Sequence, residues 1–128
     1  MAIQVISTIE NLGRVVEFIP GVKLSSAAEE DYSYIKINYG NGREIIILDL
    51  KRAVGNGMNF LQNVKLSYYS AIVIVLTSLN NDDFRNRCFK LGADYFFDKE
   101  KEIKEFSDVL NKQFNSLINR EIESVELI

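Results

Sequence analysis

Two uninterrupted runs of large apolar residues constrain this chain more than any other feature. Residues 45–48 and 71–76 are rich in β-branched side chains and contain no polar residue. A strand of this kind is buried on both faces, as in a parallel sheet that is covered by helices on both sides. The sequence therefore predicts an α/β domain in which these two runs are strands.

Apolar residues at helical spacing separate the strand candidates, which gives five strand-then-helix units. The predicted strands cover residues 3–6, 22–24, 45–48, 71–76 and 95–97. The predicted helices carry their apolar faces at Ile9, Leu12, Val16 and Ile19, at Ala28, Tyr32, Ile35 and Tyr39, at Phe60, Leu61 and Val64, at Phe84, Cys88 and Leu91, and at Ile103, Phe106, Leu110, Phe114 and Leu117. Right-handed crossovers would make this pattern a doubly wound domain. We expect it to span residues 1–120, followed by a C-terminal tail over residues 121–128.

The composition excludes several kinds of chemistry. The 128 residues include no histidine, which excludes a Ser-His-Asp triad, a Cys-His pair and histidine-ligated zinc on this chain. A single cysteine, Cys88, excludes an intrachain disulfide. The net charge of -3 provides no basic footprint for nucleic acid, and no apolar run approaches the roughly 20 residues that span a bilayer. We expect a cytoplasmic protein that contacts neither nucleic acid nor membrane directly.

Three polar residues follow three of the predicted strands. Asp49 follows the third strand, Thr77 follows the fourth and Lys99 follows the fifth. Each of these residues alone is more often a turn cap or a solvated side chain. Because the carboxyl ends of parallel strands meet at one edge, where such folds bind ligands, we expect the three to form a site together.

The sequence around these residues resembles the response-regulator receiver domain. Residues 44–51, Glu-Ile-Ile-Ile-Leu-Asp-Leu-Lys, are similar to the strand that carries the phosphoacceptor aspartate of that family, and Gly57 matches a glycine that opens the next helix. Residues 91–99 resemble the motif of Gly-Ala, an aromatic strand and lysine. Thr77 lies 28 residues after Asp49, and Lys99 lies 22 residues after Thr77, which are family-like intervals.

The resemblance implies a flavodoxin-like fold of five strand-helix units, with a five-stranded parallel sheet in the order 2-1-3-4-5. It also implies that Asp49 accepts a phosphoryl group and that Thr77 and Lys99 contact it. Phe96 lies three residues before Lys99, at the position of the aromatic switch residue in that family.

The magnesium site of the family is incomplete in this chain. Ser7 and Thr8 replace the two acids that follow the first strand, so magnesium would retain only Asp49 and the backbone carbonyl of Lys51. Another register would place Glu10 at the acidic position. Because hard divalent cations prefer charged oxygen ligands, we expect magnesium binding to be weak.

Three functions are compatible with the sequence. The first is a single-domain response regulator of a two-component phosphorelay. We expect such a protein not to be an enzyme. It accepts a phosphoryl group on Asp49 from a histidine kinase or phosphotransfer protein, and it signals to a downstream protein through the last two strand-helix units. The second is a pseudo-receiver, a protein-binding module that works without phosphorylation. The third, a flavin or nucleotide enzyme, lacks a glycine-rich phosphate loop after the first strand.

Overall fold

A computed structural model describes residues 23–38, 44–67, 70–79 and 81–114 of the chain. The strands and helices are β1 (Lys23–Ala28), β2 (Tyr32–Asn38), β3 (Glu44–Leu50), α1 (Asn56–Ser67), β4 (Ile72–Thr77), α2 (Asp82–Lys90), β5 (Tyr95–Asp98) and α3 (Ile103–Phe114). The predicted strand at 3–6, the helix through Ile9 and Ile19, and the tail at 121–128 lie outside the described residues. Within the described ranges, no helix is long and apolar enough to cross a membrane.

The five strands form one mixed sheet in the order β1-β2-β3-β4-β5. β1 pairs with β2 and β2 pairs with β3 in antiparallel fashion, whereas β3–β4 and β4–β5 are parallel. The prediction of a flavodoxin-like, fully parallel sheet in the order 2-1-3-4-5 is therefore wrong. The physical reason is that only five residues separate β2 from β3, whereas a parallel connection needs a crossover of roughly a dozen residues or more.

The predicted helix through Ala28, Tyr32, Ile35 and Tyr39 is also wrong. Tyr32–Asn38 is a strand whose side chains alternate between buried and partly exposed, as its β-branched and aromatic residues favour. Ile35 and Ile37 are buried on one face, and Tyr32 and Tyr34 lie on the other. The same residues satisfy a helical spacing and a strand alternation, and pairing with β3 decides between them.

Helices cover the two faces of the sheet differently. α1 and α2 pack on one face, here called the α1–α2 face, against Ile46, Leu48, Val73, Val75 and Phe96. α3 packs on the opposite face, here called the α3 face, where the rings of Phe97 and Phe106 lie 6.2 Å apart at an edge-to-face angle. The core therefore has two layers, with the sheet between them.

The start of α1 is fixed by a residue from the turn between β1 and β2. The backbone N–H of Asn56 donates to Asp31 Oδ2 at 3.1 Å, and Arg52 Nε lies 3.3 Å from Asp31 Oδ1. α1 has no acidic residue in its own first turn, so Asp31 supplies the negative charge that a helix N-terminus favours. Gly55 precedes the helix with φ of +104°, and a Cβ there would lie 2.7 Å from Asp31 Oδ2.

Candidate functional site

Asp49 and Lys99 meet at the carboxyl-end edge of the sheet. Asp49 is the penultimate residue of β3, and Lys99 directly follows β5. Lys99 Nζ donates to Asp49 Oδ2, and the backbone N–H of Lys99 donates to the Thr77 carbonyl at 2.8 Å. This backbone bond anchors Lys99 beside the end of β4, from which its long side chain reaches β3.

The Asp49 carboxylate is mostly buried, and among the described residues only one of its oxygens has a donor. Its side chain is 12% exposed and that of Lys99 is 23% exposed. Within the described ranges, Oδ2 accepts from Lys99 and no donor contacts Oδ1. A partly desolvated carboxylate is therefore held in one orientation by a cation, with its second oxygen available for chemistry.

Thr77 also stands at the end of its strand, but its side chain is on the other face of the sheet. Thr77 alternates with Val73 and Val75 on the α1–α2 face, whereas Asp49 alternates with Ile45 and Ile47 on the α3 face. The fully buried Thr77 hydroxyl donates to the Leu50 carbonyl at 2.5 Å and accepts from the Leu79 N–H at 3.1 Å. The structure thus brings Lys99 to Asp49 but commits the Thr77 hydroxyl to the backbone.

Ser33 is a neighbour of Asp49 that the sequence analysis missed. Ser33 in β2 is the register partner of Asp49 in β3, and its side chain is buried on the same α3 face. Opposed residues of an antiparallel pair have Cβ atoms roughly 4.5–5.5 Å apart. The helix predicted for this segment concealed the pairing. The alternation of Tyr32, Tyr34 and Lys36 with Ser33, Ile35 and Ile37 was the signal that could have revealed it.

Phe96 lies in the core of the α1–α2 face. Its ring makes an edge-to-face contact with Phe84, with centroids 5.8 Å apart. The Arg85 guanidinium carbon lies 5.5 Å from the Phe96 centroid and 5.9 Å from that of Phe89. The ring is buried in this state, and the switch role of Phe96 stays a prediction.

Two residues of the Gly-Ala-Asp motif have structural roles. Gly92 adopts φ of +117°, and a Cβ there would lie 2.4 Å from Lys65 Cγ. Asp94 Oδ2 accepts from the Val73 N–H at 2.8 Å and pairs with Lys65 Nζ at 2.7 Å. Gly92 and Asp94 therefore join the end of α1 to the start of β4.

The described residues contain only part of the predicted magnesium site, so magnesium binding stays a prediction. They contain no group of three or more acidic, cysteine or histidine side chains placed to hold a metal. Asp31, the acid nearest in sequence to Ser33, has one oxygen bonded to the Asn56 N–H and the other paired with Arg52. The Lys51 side chain is exposed and donates to the Glu29 carbonyl at 3.4 Å. Ser7, Thr8 and Glu10 lie outside the described residues, so no chemical step is routed through a metal here.

Cys88 is not a candidate nucleophile. Burial on the α1–α2 face raises the pKa of its thiol to about 11, although nearby Arg87 acts in the opposite direction. A protonated, buried thiol is unreactive, because the thiolate is the nucleophilic form.

Comparisons of the chain with protein-family models, with curated proteins and with solved structures find no match. The geometry around Asp49 is therefore the basis on which a function is inferred.

Proposed function

We propose that the protein is a response regulator that accepts a phosphoryl group on Asp49 from a phosphohistidine of a histidine kinase or phosphotransfer protein. The observation that carries the proposal is the pairing of Asp49 with Lys99 at the carboxyl ends of β3 and β5. The receiver-like motifs of residues 44–51 and 91–99 support the same function. A phosphorelay of this kind operates in the cytoplasm, where its kinase domains present phosphohistidine.

The proposed reaction is a displacement at phosphorus. Asp49 Oδ1 attacks the phosphorus atom of phosphohistidine, and an O–P bond forms as the P–N bond breaks. The histidine nitrogen keeps the electron pair of that bond and takes up a proton from water. The product is an acyl phosphate on Asp49. Lys99 remains beside it and offsets part of the negative charge on the phosphoryl oxygens, which is the main task of a protein in phosphoryl transfer.

Intact-mass measurement after incubation with phosphoramidate tests this function, with and without added magnesium. We expect wild type to gain one phosphoryl group, removable by hydroxylamine because it is an acyl phosphate, and Asp49→Asn to gain none. Asp31→Asn is the matched control, because the Asp31 side chain is 13% exposed, against 12% for Asp49. Phosphorylation of Asp49→Asn, or none of wild type in either buffer, would contradict the proposal.

The surface formed by α2, β5 and α3 is the proposed contact for a downstream protein. Phe89 on α2 is 40% exposed, and Arg85 lies against its ring. Exposed aromatic and arginine side chains are the residue types that contribute most to protein interfaces.

Phe89→Ala should weaken binding of a downstream target about tenfold or more, as measured by calorimetry. Leu66→Ala is the control, because Leu66 is an exposed apolar residue on α1, outside this surface. If Leu66→Ala weakened binding and Phe89→Ala did not, the interface would have to be assigned to α1.

A second candidate function is a pseudo-receiver that binds its partner without phosphorylation. The engagement of the Thr77 hydroxyl by the backbone favours it, since that hydroxyl is the one the resemblance assigns to the phosphate. In this case wild type gains no phosphoryl group, and Asp49→Asn binds the target as tightly as wild type does. The mass measurement and the binding measurement together distinguish the two functions.

A further inference from the structure

Ser33 is the residue of the neighbouring strand that pairs with Asp49 in the sheet. The register pairs Ser33 with Asp49, and the flanking pair Ile35–Ile47 confirms that both residues lie on the α3 face. Thr77 lies on the α1–α2 face and already has both a donor and an acceptor partner. Of these two hydroxyls, that of Ser33 is therefore the one placed beside the reactive carboxylate.

We propose that Ser33 donates a hydrogen bond to the phosphoryl group on Asp49, in the role that the sequence pattern assigned to Thr77. The proposal rests on the phosphorylation of Asp49 proposed above. A serine hydroxyl has one donor proton, which rotates about the Cβ–Oγ bond and can point at a phosphoryl oxygen two bonds beyond the carboxylate oxygen. A hydrogen bond to a charged phosphoryl oxygen is stronger than one between neutral groups.

Ser33 and Lys99 approach Asp49 from opposite sides of β3. Ser33 comes from β2, on the antiparallel side, and Lys99 comes from the end of β5, beyond β4 on the parallel side. Both Ser33 and Asp49 are buried, so a hydrogen bond from Ser33 to a phosphoryl group on Asp49 would meet little competition from water. A phosphoryl group on Asp49 would thus have a neutral donor on one side and a cation on the other.

The experiment uses intact mass to measure how fast phosphoramidate phosphorylates wild type and four variants. Each rate is divided by the folded fraction of the protein. Ser33→Ala should be phosphorylated about tenfold more slowly than wild type, which is the loss expected for one hydrogen bond to a charged group. Ser33→Thr keeps the hydroxyl and suits a strand, so it should retain the wild-type rate to within about threefold. Thr77→Val should keep the wild-type rate, and Ser33→Cys, which keeps the side-chain size with a weak donor, should be slow.

Circular dichroism measures the folded fraction of each variant. If Ser33→Ala does not fold, Ser33→Cys replaces it in the comparison with wild type. If wild type is phosphorylated on Asp49 while Ser33→Ala and Ser33→Cys react at the wild-type rate, the role of Ser33 is wrong and the proposed function stands. A slow Thr77→Val beside a normal Ser33→Ala would likewise return the role to Thr77. If wild type gains no phosphoryl group, or Asp49→Asn still gains one, the proposed function and the role of Ser33 both fall.

Discussion

The two halves of the sheet differ in how firmly their sequences determine their structure. In the parallel half, β3, β4 and β5 come from apolar stretches at the predicted positions, with α1 and α2 between them. In the antiparallel half, β2 comes from a segment with a helical spacing of apolar residues. A short continuous run of β-branched residues favours a buried strand, whereas a segment that satisfies two periodicities is decided by its neighbours.

β3 belongs to both halves and shows what burial alone can indicate. Its residues from Ile45 to Leu50 are buried, and the apolar run predicts this for residues 45–48. Yet β3 pairs antiparallel with β2 on one side and parallel with β4 on the other. A strand that is buried on both faces therefore indicates a central position in a sheet, but not the direction of its neighbours.

The sharpest test of the antiparallel half is Ile37→Asp. Ile37 is fully buried in strand β2, whereas in the predicted helix it would point away from the face of Tyr32 and Ile35. A buried, unpaired carboxylate should lower the free energy of unfolding by about 5 kcal/mol or more, as measured by urea denaturation. Ile74→Asp, in the parallel half, should have a similar effect. Wild-type stability of Ile37→Asp would exclude the strand.

Substitution of two phenylalanines by alanine compares how tightly the two halves are packed. Phe84 of α2 is fully buried beneath the parallel strands, and Phe84→Ala should cost about 4 kcal/mol of stability. Phe60 is partly buried and stacks on Tyr32 and Tyr34 of β2, with centroids 4.9 and 4.7 Å away. Phe60→Ala should therefore cost less, about 1–3 kcal/mol. Equal losses in urea denaturation would mean that the two halves are packed equally tightly.

The Cys88 thiol tests the burial of the core in the parallel half through the pH dependence of stability. The folded thiol has a pKa of about 11, above the ordinary value of 9.0, because burial disfavours the thiolate. The unfolded state therefore releases this proton first, and stability is lost as the pH rises from about 9 to 11, by roughly 2–3 kcal/mol in total.

The difference in unfolding free energy between wild type and Cys88→Ala isolates this loss, because the other titrating groups are common to both proteins. A difference that stays constant from pH 8 to pH 11 would show that the thiol is not buried in the core.

Thr77→Val should have the smallest effect on stability. It removes the donor to the Leu50 carbonyl and the acceptor of the Leu79 N–H, at a cost of about 1–2 kcal/mol. Thermal unfolding measures this cost, and Thr77→Ser, which keeps both hydrogen bonds, is the control. Equal stability of Thr77→Val and wild type would mean that this hydroxyl does not hold β3 and β4 together.

The site could be predicted only in part for the same reason as the fold. The pairing of Asp49 with Lys99 depends on the parallel half, where strand ends determine which residues meet at one edge. The side on which Thr77 lies depends on the parity of its position relative to Val73 and Val75, which a search for strand-end residues does not consider. Ser33 depends on the register between β2 and β3, and a segment assigned to a helix has no register to consider.

The cap on α1 by Asp31 has a consequence for how the two halves open. The bond from the Asn56 N–H spans 25 residues of chain, so the first turn of α1 gains its acceptor only after β2 has docked on β3. Such a long-range closure links a helix of the parallel half to the turn of the antiparallel half, and it slows the completion of that helix during folding. In native-state hydrogen exchange, the amides at the start of α1 and those of β2 should therefore exchange as one cooperative unit, even though the strands on either side of β3 run in opposite directions.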